Sequence, residues 1–288
     1  MDLKKHTMNQ IHDFTRTSPI LFSLGFALLA GLINLKFSSL FFLLFPDNTW
    51  MHILNEVLCI LWPAALAVFF GFRFIFRHRG IRATFGAALP MFLLFGYMLF
   101  SQLKMTCANP DTQWKSALEI FGGILFLIGV GFREEVLYRG VITNAIALKY
   151  GNSTKGLWIT ALSSGAMFGA VHMLNVFQNV SFTGALDQSI GAFIGGVFLC
   201  AVYLRGGSIW GMTLLHTLID APPLVKILFT NTAAEDLSGL VSSYGLGLVQ
   251  IIFLVFELLL AAFLLRKSKR QKIISRIQQL NSSEAETI

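Results

Sequence analysis

Two adjacent carboxylates, Glu134 and Glu135, stand in the segment Gly131-Phe-Arg-Glu-Glu-Val-Leu-Tyr-Arg139, at the end of a run from Leu118 to Phe132 that is apolar except for Glu119. A charged side chain at the centre of a bilayer costs about 2.5–3.5 kcal/mol on insertion scales. Residues kept there at that cost usually line a cavity and serve a function. We therefore expect a polar cavity within an apolar chain.

The composition indicates a membrane protein that crosses the bilayer several times. Of its 288 residues, 55% are hydrophobic and 13% are charged, and the mean hydropathy is +0.68. A helix needs about 20 apolar residues to cross roughly 30 Å of hydrocarbon. Continuous apolar runs, rather than alternating ones, favour helices over a barrel.

The sequence therefore predicts an all-α, polytopic transmembrane helical bundle of about eight spans. The spans are predicted at Ile20–Phe45, Ile53–Phe72, Ala83–Phe100, Ser116–Leu148, Leu157–Leu174, Ile190–Leu204, Ile209–Phe229 and Tyr244–Leu265. The Ile190 run is short, and the Ser116 run is overlong and interrupted by charges.

The basic residues predict the orientation, since short loops rich in Lys and Arg stay in the cytoplasm. With the N-terminus inside, only Lys104, Lys115 and Lys226 fall on the outer side. We expect both termini to be cytoplasmic, with an N-terminal segment 1–19, an integral membrane domain 20–265 and a basic tail 266–288. The net charge of +7 then reflects topology and attraction to lipid head groups, not nucleic-acid binding.

The tail has apolar residues at helical spacing, Ile273, Ile277 and Leu280. They allow an amphipathic helix at the membrane interface. A solvated tail, in which this spacing is accidental, is an equal alternative.

The depth of the ionisable residues can be read from the turn between two spans. The spans that flank Asn152–Thr154 run antiparallel, so residues equidistant from the turn lie at one depth. Glu134 and His172 have their midpoint at residue 153, and Glu135 and His172 at 153.5. At a rise of about 1.5 Å per residue, the sequence predicts that the carboxylates and the imidazole face each other across a helical hairpin.

Helical spacing of four supports the same cavity, because residues four apart share a helix face. Glu135 precedes Arg139, Phe168 precedes His172, and His216 precedes Asp220 by four residues. Arg139 can offset the charge of Glu135, which is the expected role of that pair. Glu134 points about 100° away from Glu135 on an α-helix, so it is freer to accept a proton in the cavity.

A single histidine in a membrane span more often bonds two helices together than catalyses a reaction. Here His172 and His216 both lie well inside predicted spans, together with the carboxylates and Arg139. This combination favours a functional cavity over a purely structural one. Asn34, Lys36 and Glu257 have no evident partners, so packing is the better interpretation for them.

The motifs Glu134-Glu-x-x-x-Arg139, Phe168-x-x-x-His172 and His216-x-x-x-Asp220 follow one another on successive predicted helices. Their order, spacing and membrane setting resemble the CPBP family, the CAAX-protease and bacteriocin-processing intramembrane endopeptidases also called the ABI family. The motifs cover a core at about 117–225. The resemblance implies an eight-helix intramembrane peptidase.

The resemblance also implies a role for each motif residue. Glu134 would activate water for attack on a peptide carbonyl, assisted by His172. His216 and Asp220 would form the other wall of the site, and Glu135 with Arg139 a supporting ion pair. The last motif position is commonly Asn in relatives that act on prenylated proteins, whereas Asp220 can only accept hydrogen bonds when ionised.

Two mechanisms stay open. A divalent metal, Zn²⁺ in particular, bound by His172, His216 and Glu134 would polarise the carbonyl and activate water. Alternatively, Glu134 would act as a general base without a metal, while the imidazoles stabilise developing charge. The chain has no His-Glu-x-x-His array, the compact signature of soluble zinc proteases. Only the family classification favours the metal, and no other cofactor is expected.

The expected partners are membrane lipid and a substrate that partitions into it: a lipidated C-terminus, a hydrophobic peptide or a membrane protein. We expect a multi-pass protein of the cell membrane. A proton-coupled secondary transporter is the alternative from another class, although the sequence shows no paired inverted halves. A non-catalytic scaffold or immunity protein with the same fold is the third.

Overall fold

The described residues form a bundle of helices. The computed structural model describes residues 13–46, 48–231, 237–242 and 245–285. Within that part of the chain the helices are α1 (Pro19–Leu44), α2 (Thr49–Phe69), α3 (Ile81–Ala108), α4 (Ala117–Glu134), α5 (Asn144–Tyr150), α6 (Thr154–His172), α7 (Phe182–Gly206), α8 (Ile209–Phe229), α9 (Leu237–Ser242), α10 (Leu248–Leu265) and α11 (Arg270–Ala285). A π-helical segment, Glu135–Thr143, joins α4 to α5 without a break. Short 3₁₀ turns lie at Arg73–Phe76, Met173–Gln178 and Lys267–Lys269.

Seven of the described helices are long and apolar enough to cross a membrane: α1, α2, α3, α6 with the 3₁₀ turn that follows it, α7, α8 and α10. The continuous helical segment 117–150, which carries the charged residues, supplies the remaining predicted span. The predicted all-α membrane bundle is thereby confirmed, and the protein is a multi-pass integral membrane protein. The cytoplasmic location of the termini stays a prediction.

The short predicted span at Ile190–Leu204 is in fact the 25-residue helix α7. Hydropathy ends the span early because Asp187 and Gln188 are polar, yet both lie inside the helix. A helix satisfies its own backbone hydrogen bonds whatever its side chains, so polar side chains interrupt the apolar run but not the helix.

Serine begins each long helix of the core. The hydroxyl oxygens of Ser116, Ser153, Ser181 and Ser208 accept hydrogen bonds from the backbone N–H groups at the starts of α4, α6, α7 and α8. These caps satisfy N–H groups that have no partner within the helix. At Ser116 the cap is reciprocal, because Glu119 accepts a bond from the Ser116 N–H at 2.9 Å.

Glycines allow α4, α6, α7 and α8 to approach closely. A Cβ atom on Gly165 of α6 would lie 2.7 Å from a methyl of Val197 on α7. A Cβ atom on Gly131 of α4 would lie 2.8 Å from the Thr217 hydroxyl on α8. Small residues at such crossings permit backbone contact between helices in lipid, and here they bring the charged part of α4 against α8.

Contacts across the hairpin between α4 and α6 follow the register counted from the turn. The Thr143 hydroxyl donates to Ser164 Oγ at 2.9 Å. The centroids of the Tyr138 and Phe168 rings lie 4.9 Å apart. Each pair is centred on residue 153 or 153.5, as the sequence predicted for Glu134, Glu135 and His172.

The C-terminal helix α11 docks on the bundle. Ile273 and Ile277 are 1% and 8% exposed, and a methyl of Ile277 reaches the chain at Gly151. Leu280 was predicted to continue this stripe, but its side chain lies outside the described residues. The stripe is therefore buried against the bundle, which argues against a solvated segment, and the position of this helix at a membrane interface stays a prediction.

Candidate active site

A buried carboxylate on the first residue of the π segment joins an imidazole to a guanidinium. Glu135 Oε1 accepts a hydrogen bond from His216 Nδ1 at 2.7 Å. The same oxygen lies 3.0 Å from Arg139 Nη1, and both side chains of this ion pair are fully buried. Since Nδ1 carries the hydrogen in this contact, Glu135 fixes the orientation and tautomer of the ring.

The other ring nitrogen of His216 faces two more carboxylates. His216 Nε2 lies 3.4 Å from Glu134 Oε2 and 3.7 Å from Asp220 Oδ2. The Glu134 and Asp220 side chains are 19% and 28% exposed, whereas that of His216 is only 7% exposed. Glu134 and Asp220 therefore line the accessible side of the site, with His216 beneath them.

The Phe168 ring separates the two imidazoles. Its centroid lies 4.8 Å from that of His172 and 5.9 Å from that of His216, both edge to face. The Arg139 guanidinium lies 4.6 Å from the same ring, within the range of a cation–π interaction. Phe168 thus fixes the spacing between the two histidines.

His172 is held less tightly than His216. It is half-buried, and its Nδ1–H donates to the Phe168 carbonyl at 2.7 Å. This bond leaves Nε2 as the unprotonated nitrogen of the neutral ring. Within the described part of the chain, no hydrogen bond or ion pair joins His172 to Glu134.

The π segment changes how the two glutamates are presented. On a regular α-helix Glu134 and Glu135 would point about 100° apart, and the sequence predicted different surroundings for them. In the structure they are the last α-helical and the first π-helical residue, and both carboxylates reach His216. π-Helical turns are rare in proteins, and those that do occur are frequently found at functional sites.

The structure brings five of the six predicted site residues into one connected cluster, namely Glu134, Glu135, Arg139, His216 and Asp220. His172 joins through Phe168. The contact between Glu135 and His216 was not predicted, because spacing along one helix shows no partner on another. The roles assigned to the six residues stay predictions.

Sequence reasoning also missed Asn144, which is 3% exposed. Its side-chain amide donates to the Gly140 carbonyl at 2.7 Å and to the Tyr203 hydroxyl at 2.9 Å. The sequence did contain a signal for this contact, because a polar amide within a predicted span needs a hydrogen-bond partner and Asn144 follows Gly140 by four residues. The same signal applied to Asn55, whose amide donates to Ser38 and to Glu56 at 3.2 Å.

The predicted metal ligands do not converge in one cluster. Within the described residues, no group of three or more His, Cys, Asp or Glu side chains is arranged to hold a metal ion. His216 and Glu134 are in contact, but His172 lies across Phe168 from His216. Metal binding by His172, His216 and Glu134 stays a prediction.

Comparison with protein families agrees with the geometry. Residues 116–222 match the family model described as type II CAAX prenyl endopeptidase Rce1-like. Comparisons with curated proteins and with solved structures give no significant match. The matched segment begins at the cap of α4 and ends just after Asp220, so it contains all six predicted site residues. The match over residues 116–222 therefore supports the CPBP family of CAAX-type intramembrane proteases for the core of this chain.

Proposed function

We propose that this protein hydrolyses a peptide bond in a membrane-partitioned substrate, with Glu134 activating the attacking water. The observation that carries the proposal is the placement of His216 between Glu135 at Nδ1 and the accessible carboxylates at Nε2. A preorganised acid, base and orienting group within one pocket is the arrangement that peptide hydrolysis needs.

Glu134 is the general base of the proposed reaction because its carboxylate is the accessible one nearest to His216. It takes a proton from water as the water oxygen forms a bond to the carbonyl carbon. The carbonyl oxygen becomes the oxyanion of a tetrahedral intermediate. Glu134 then gives the proton to the amide nitrogen as the C–N bond breaks, leaving a carboxylic acid and a free amine; the acid then ionises by giving its proton to the amine or to water.

His216 supplies the positive end of the site. Glu135 accepts the Nδ1 hydrogen. In the proposed step His216 carries a second hydrogen on Nε2, the nitrogen that faces Glu134 and Asp220. The Nε2–H group then donates to the developing oxyanion, an interaction that is strongest where water is excluded. Arg139 lies 3.0 Å from the Glu135 carboxylate, offsets its charge and packs against Phe168, so it holds the orienting side chain beneath the ring.

His172 positions the water. Its Nδ1–H is committed to the Phe168 carbonyl, so Nε2 is free to accept a hydrogen bond from a water molecule beside Glu134. The contacts of Tyr138 with Phe168 and of Thr143 with Ser164 fit the register that predicts Glu134 and His172 at one depth, which supports this assignment.

Asp220 shapes the other wall of the site. At 3.7 Å from Nε2 it attracts a charged His216 without forming a hydrogen bond. Because an ionised carboxylate cannot donate, we assign Asp220 to the balance of charge and not to the oxyanion.

The proposed reaction uses only side chains of the protein, because no three His, Cys, Asp or Glu side chains among the described residues are arranged to bind a metal ion. Zinc bound by His172, His216 and Glu134 would require these side chains to rearrange. Measuring the metal content of the purified protein, and its activity after chelation, tests the metalloprotease prediction directly.

The location of the site favours hydrophobic substrates. It lies within helices of an integral membrane bundle, so a substrate must partition into lipid to reach it. The matched family is described as acting on prenylated proteins. On that basis a lipidated C-terminus is the first substrate class to test, followed by hydrophobic peptides and membrane proteins.

The test compares membranes that contain the wild-type protein with membranes that contain Glu134→Gln at equal abundance. Mass spectrometry of membrane peptides should detect cleavage products only with the wild type. The same product lists from both membranes would contradict the proposal and favour a scaffold. Proton-coupled solute uptake by proteoliposomes of the wild type would favour a transporter instead.

A further inference from the structure

The C-terminal helix inserts an arginine beneath the end of α7. Arg276 Nη1 donates to the Tyr203 carbonyl at 2.5 Å and to the Leu204 carbonyl at 2.9 Å. Its guanidinium also lies 5.1 Å from the centroid of the Tyr203 ring. The last carbonyls of a helix lack partners within it, and of these two the Tyr203 carbonyl also accepts from the Gly207 N–H. A basic side chain at that end binds such carbonyls and complements the helix dipole. Arg276 therefore caps α7.

The backbone at the end of α7 is shaped to admit this side chain. Gly207 follows the helix with a φ of +87°, a conformation that favours glycine. A Cβ atom on Gly207 would lie 2.2 Å from Arg276 Cζ. The fit shows that α11 is packed into the bundle through a specific polar contact as well as through Ile273 and Ile277.

The residue that Arg276 caps also bonds to the junction of the π segment. The Tyr203 hydroxyl accepts from Asn144 Nδ2 at 2.9 Å, and this amide donates to the carbonyls of Gly140 at 2.7 Å and of Arg139 at 3.2 Å. Asn144 is the first residue after the π segment. Asn144 therefore adds side-chain hydrogen bonds to two buried carbonyls at the point where the π segment ends and regular α-helix resumes.

The carbonyls that Asn144 holds belong to the segment that carries the site. Arg139 and Glu135 form the buried ion pair, and Glu135 binds His216. A continuous series of contacts thus runs from the tail to the imidazole. Arg276 lies outside the matched family segment, which ends at residue 222.

We propose that Arg276, Tyr203 and Asn144 are positioning residues that hold the π segment in the register that places Glu135 against His216. The C-terminal helix is then part of the active unit and not an accessory tail. This inference rests on the proposed peptidase function, because its kinetic readout is peptide cleavage.

The expected effect is on turnover and not on substrate binding. None of the three residues lies among the accessible groups of the site, so KM should stay unchanged. Loosening the π segment misplaces Glu135 and His216, and small displacements of catalytic groups are costly. We expect Arg276→Gln and Tyr203→Phe each to lower kcat about tenfold. Because both act through one series of contacts, the double variant should lose much less than the product of the two factors.

The experiment uses the full-length protein in lipid nanodiscs and one fluorogenic lipidated peptide that the wild type cleaves. Lys272→Gln is the matched control, since it removes the same charge from the exposed face of α11. Arg276→Lys is the conservative variant, and it should recover part of kcat because an ammonium can still cap a carbonyl. Tyr203→Phe keeps the buried ring and removes only the hydroxyl, so it tests the series even where Arg276→Gln fails to fold.

Hydrogen exchange of peptides that cover residues 135–144 gives a readout independent of cleavage. Faster exchange in Arg276→Gln and Tyr203→Phe, but not in Lys272→Gln, is the expected result. Unchanged exchange and kcat in both variants would overturn the inference, as would an equal loss in Lys272→Gln. A wild type that cleaves no substrate would instead count against the proposed function, and the exchange measurement would still decide whether the tail holds the π segment.

Discussion

His216 is 5% exposed and lies among three carboxylates, whereas His172 is half-buried and bonds to a backbone carbonyl. Both rings rest on Phe168. The sequence treats the two residues alike, since each stands within a span and each belongs to a four-residue motif. The structure separates them by the partner of Nδ1, which is an ionic carboxylate for His216 and a neutral carbonyl for His172.

In the proposed reaction this difference gives the two histidines different roles. A ring that is fixed by a buried carboxylate costs little to orient when charge develops beside it, which suits it to stabilise an oxyanion. A more exposed, neutral ring with a free Nε2 suits the handling of water. Glu134 lies on the accessible side next to His216, which is where the proposed reaction requires the base.

The largest expected effect follows from removing the base. Glu134→Gln keeps the size and polarity of the side chain but cannot take a proton, so kcat should fall about 10³-fold, within the range for general acid–base catalysis. Cleavage of a fluorogenic lipidated peptide by the purified variant measures this loss. An unchanged thermal unfolding midpoint would show that the bundle is intact. Retention of more than a tenth of wild-type activity would assign the base to another residue.

The same substitution at each histidine tests the comparison directly. His216→Gln should lower kcat about 10²-fold to 10³-fold, as for loss of an oxyanion donor. It should also lower the free energy of unfolding by about 2 kcal/mol, because hydrogen bonds to buried charged groups contribute about that much. Peptide cleavage and denaturant unfolding in one detergent measure the two effects. Full stability would contradict the view that the ring is held by Glu135.

His172→Gln should have a smaller and purely kinetic effect. With its ring half-buried and bonded to a carbonyl, its loss should lower kcat by about tenfold to 10²-fold through poorer positioning of water. The unfolding midpoint should match the wild type. Equal destabilisation by His172→Gln and His216→Gln would remove the structural distinction between the two histidines.

The sequence predicted the register of the hairpin that carries the site because this register depends on counting residues from a turn. Tyr138 meets Phe168, and Thr143 meets Ser164, about the centre that places Glu134 opposite His172. Hydropathy predicted the spans for a similar reason, since each apolar run reports on its own helix. It shortened α7 only where Asp187 and Gln188 interrupt the run.

Contacts between helices were beyond the reach of these patterns. Spacing of four predicted that His216 meets Asp220, but its shorter contact is with Glu135 on another helix. The π segment was also not predictable from the local sequence pattern. Its Gly140 carbonyl accepts a hydrogen bond from the Asn144 side chain, which also bonds to the Tyr203 hydroxyl on α7, a contact between distant parts of the chain. Polar residues within apolar runs, Asn144 above all, were the signal that such contacts exist.

The smallest expected effect concerns Asp220, the position at which related enzymes that act on prenylated proteins commonly have Asn. Its carboxylate is partly exposed and lies 3.7 Å from His216 Nε2, and such pairs contribute about 0–1 kcal/mol. Asp220→Asn should therefore change kcat less than about fivefold. Parallel assays of Asp220→Asn and Asp220→Ala, with prenylated and unprenylated peptides, separate charge from hydrogen bonding. A loss as large as that of His216→Gln would show that the Asp220 carboxylate acts in the reaction itself, because charge balance at this distance is too weak to account for it.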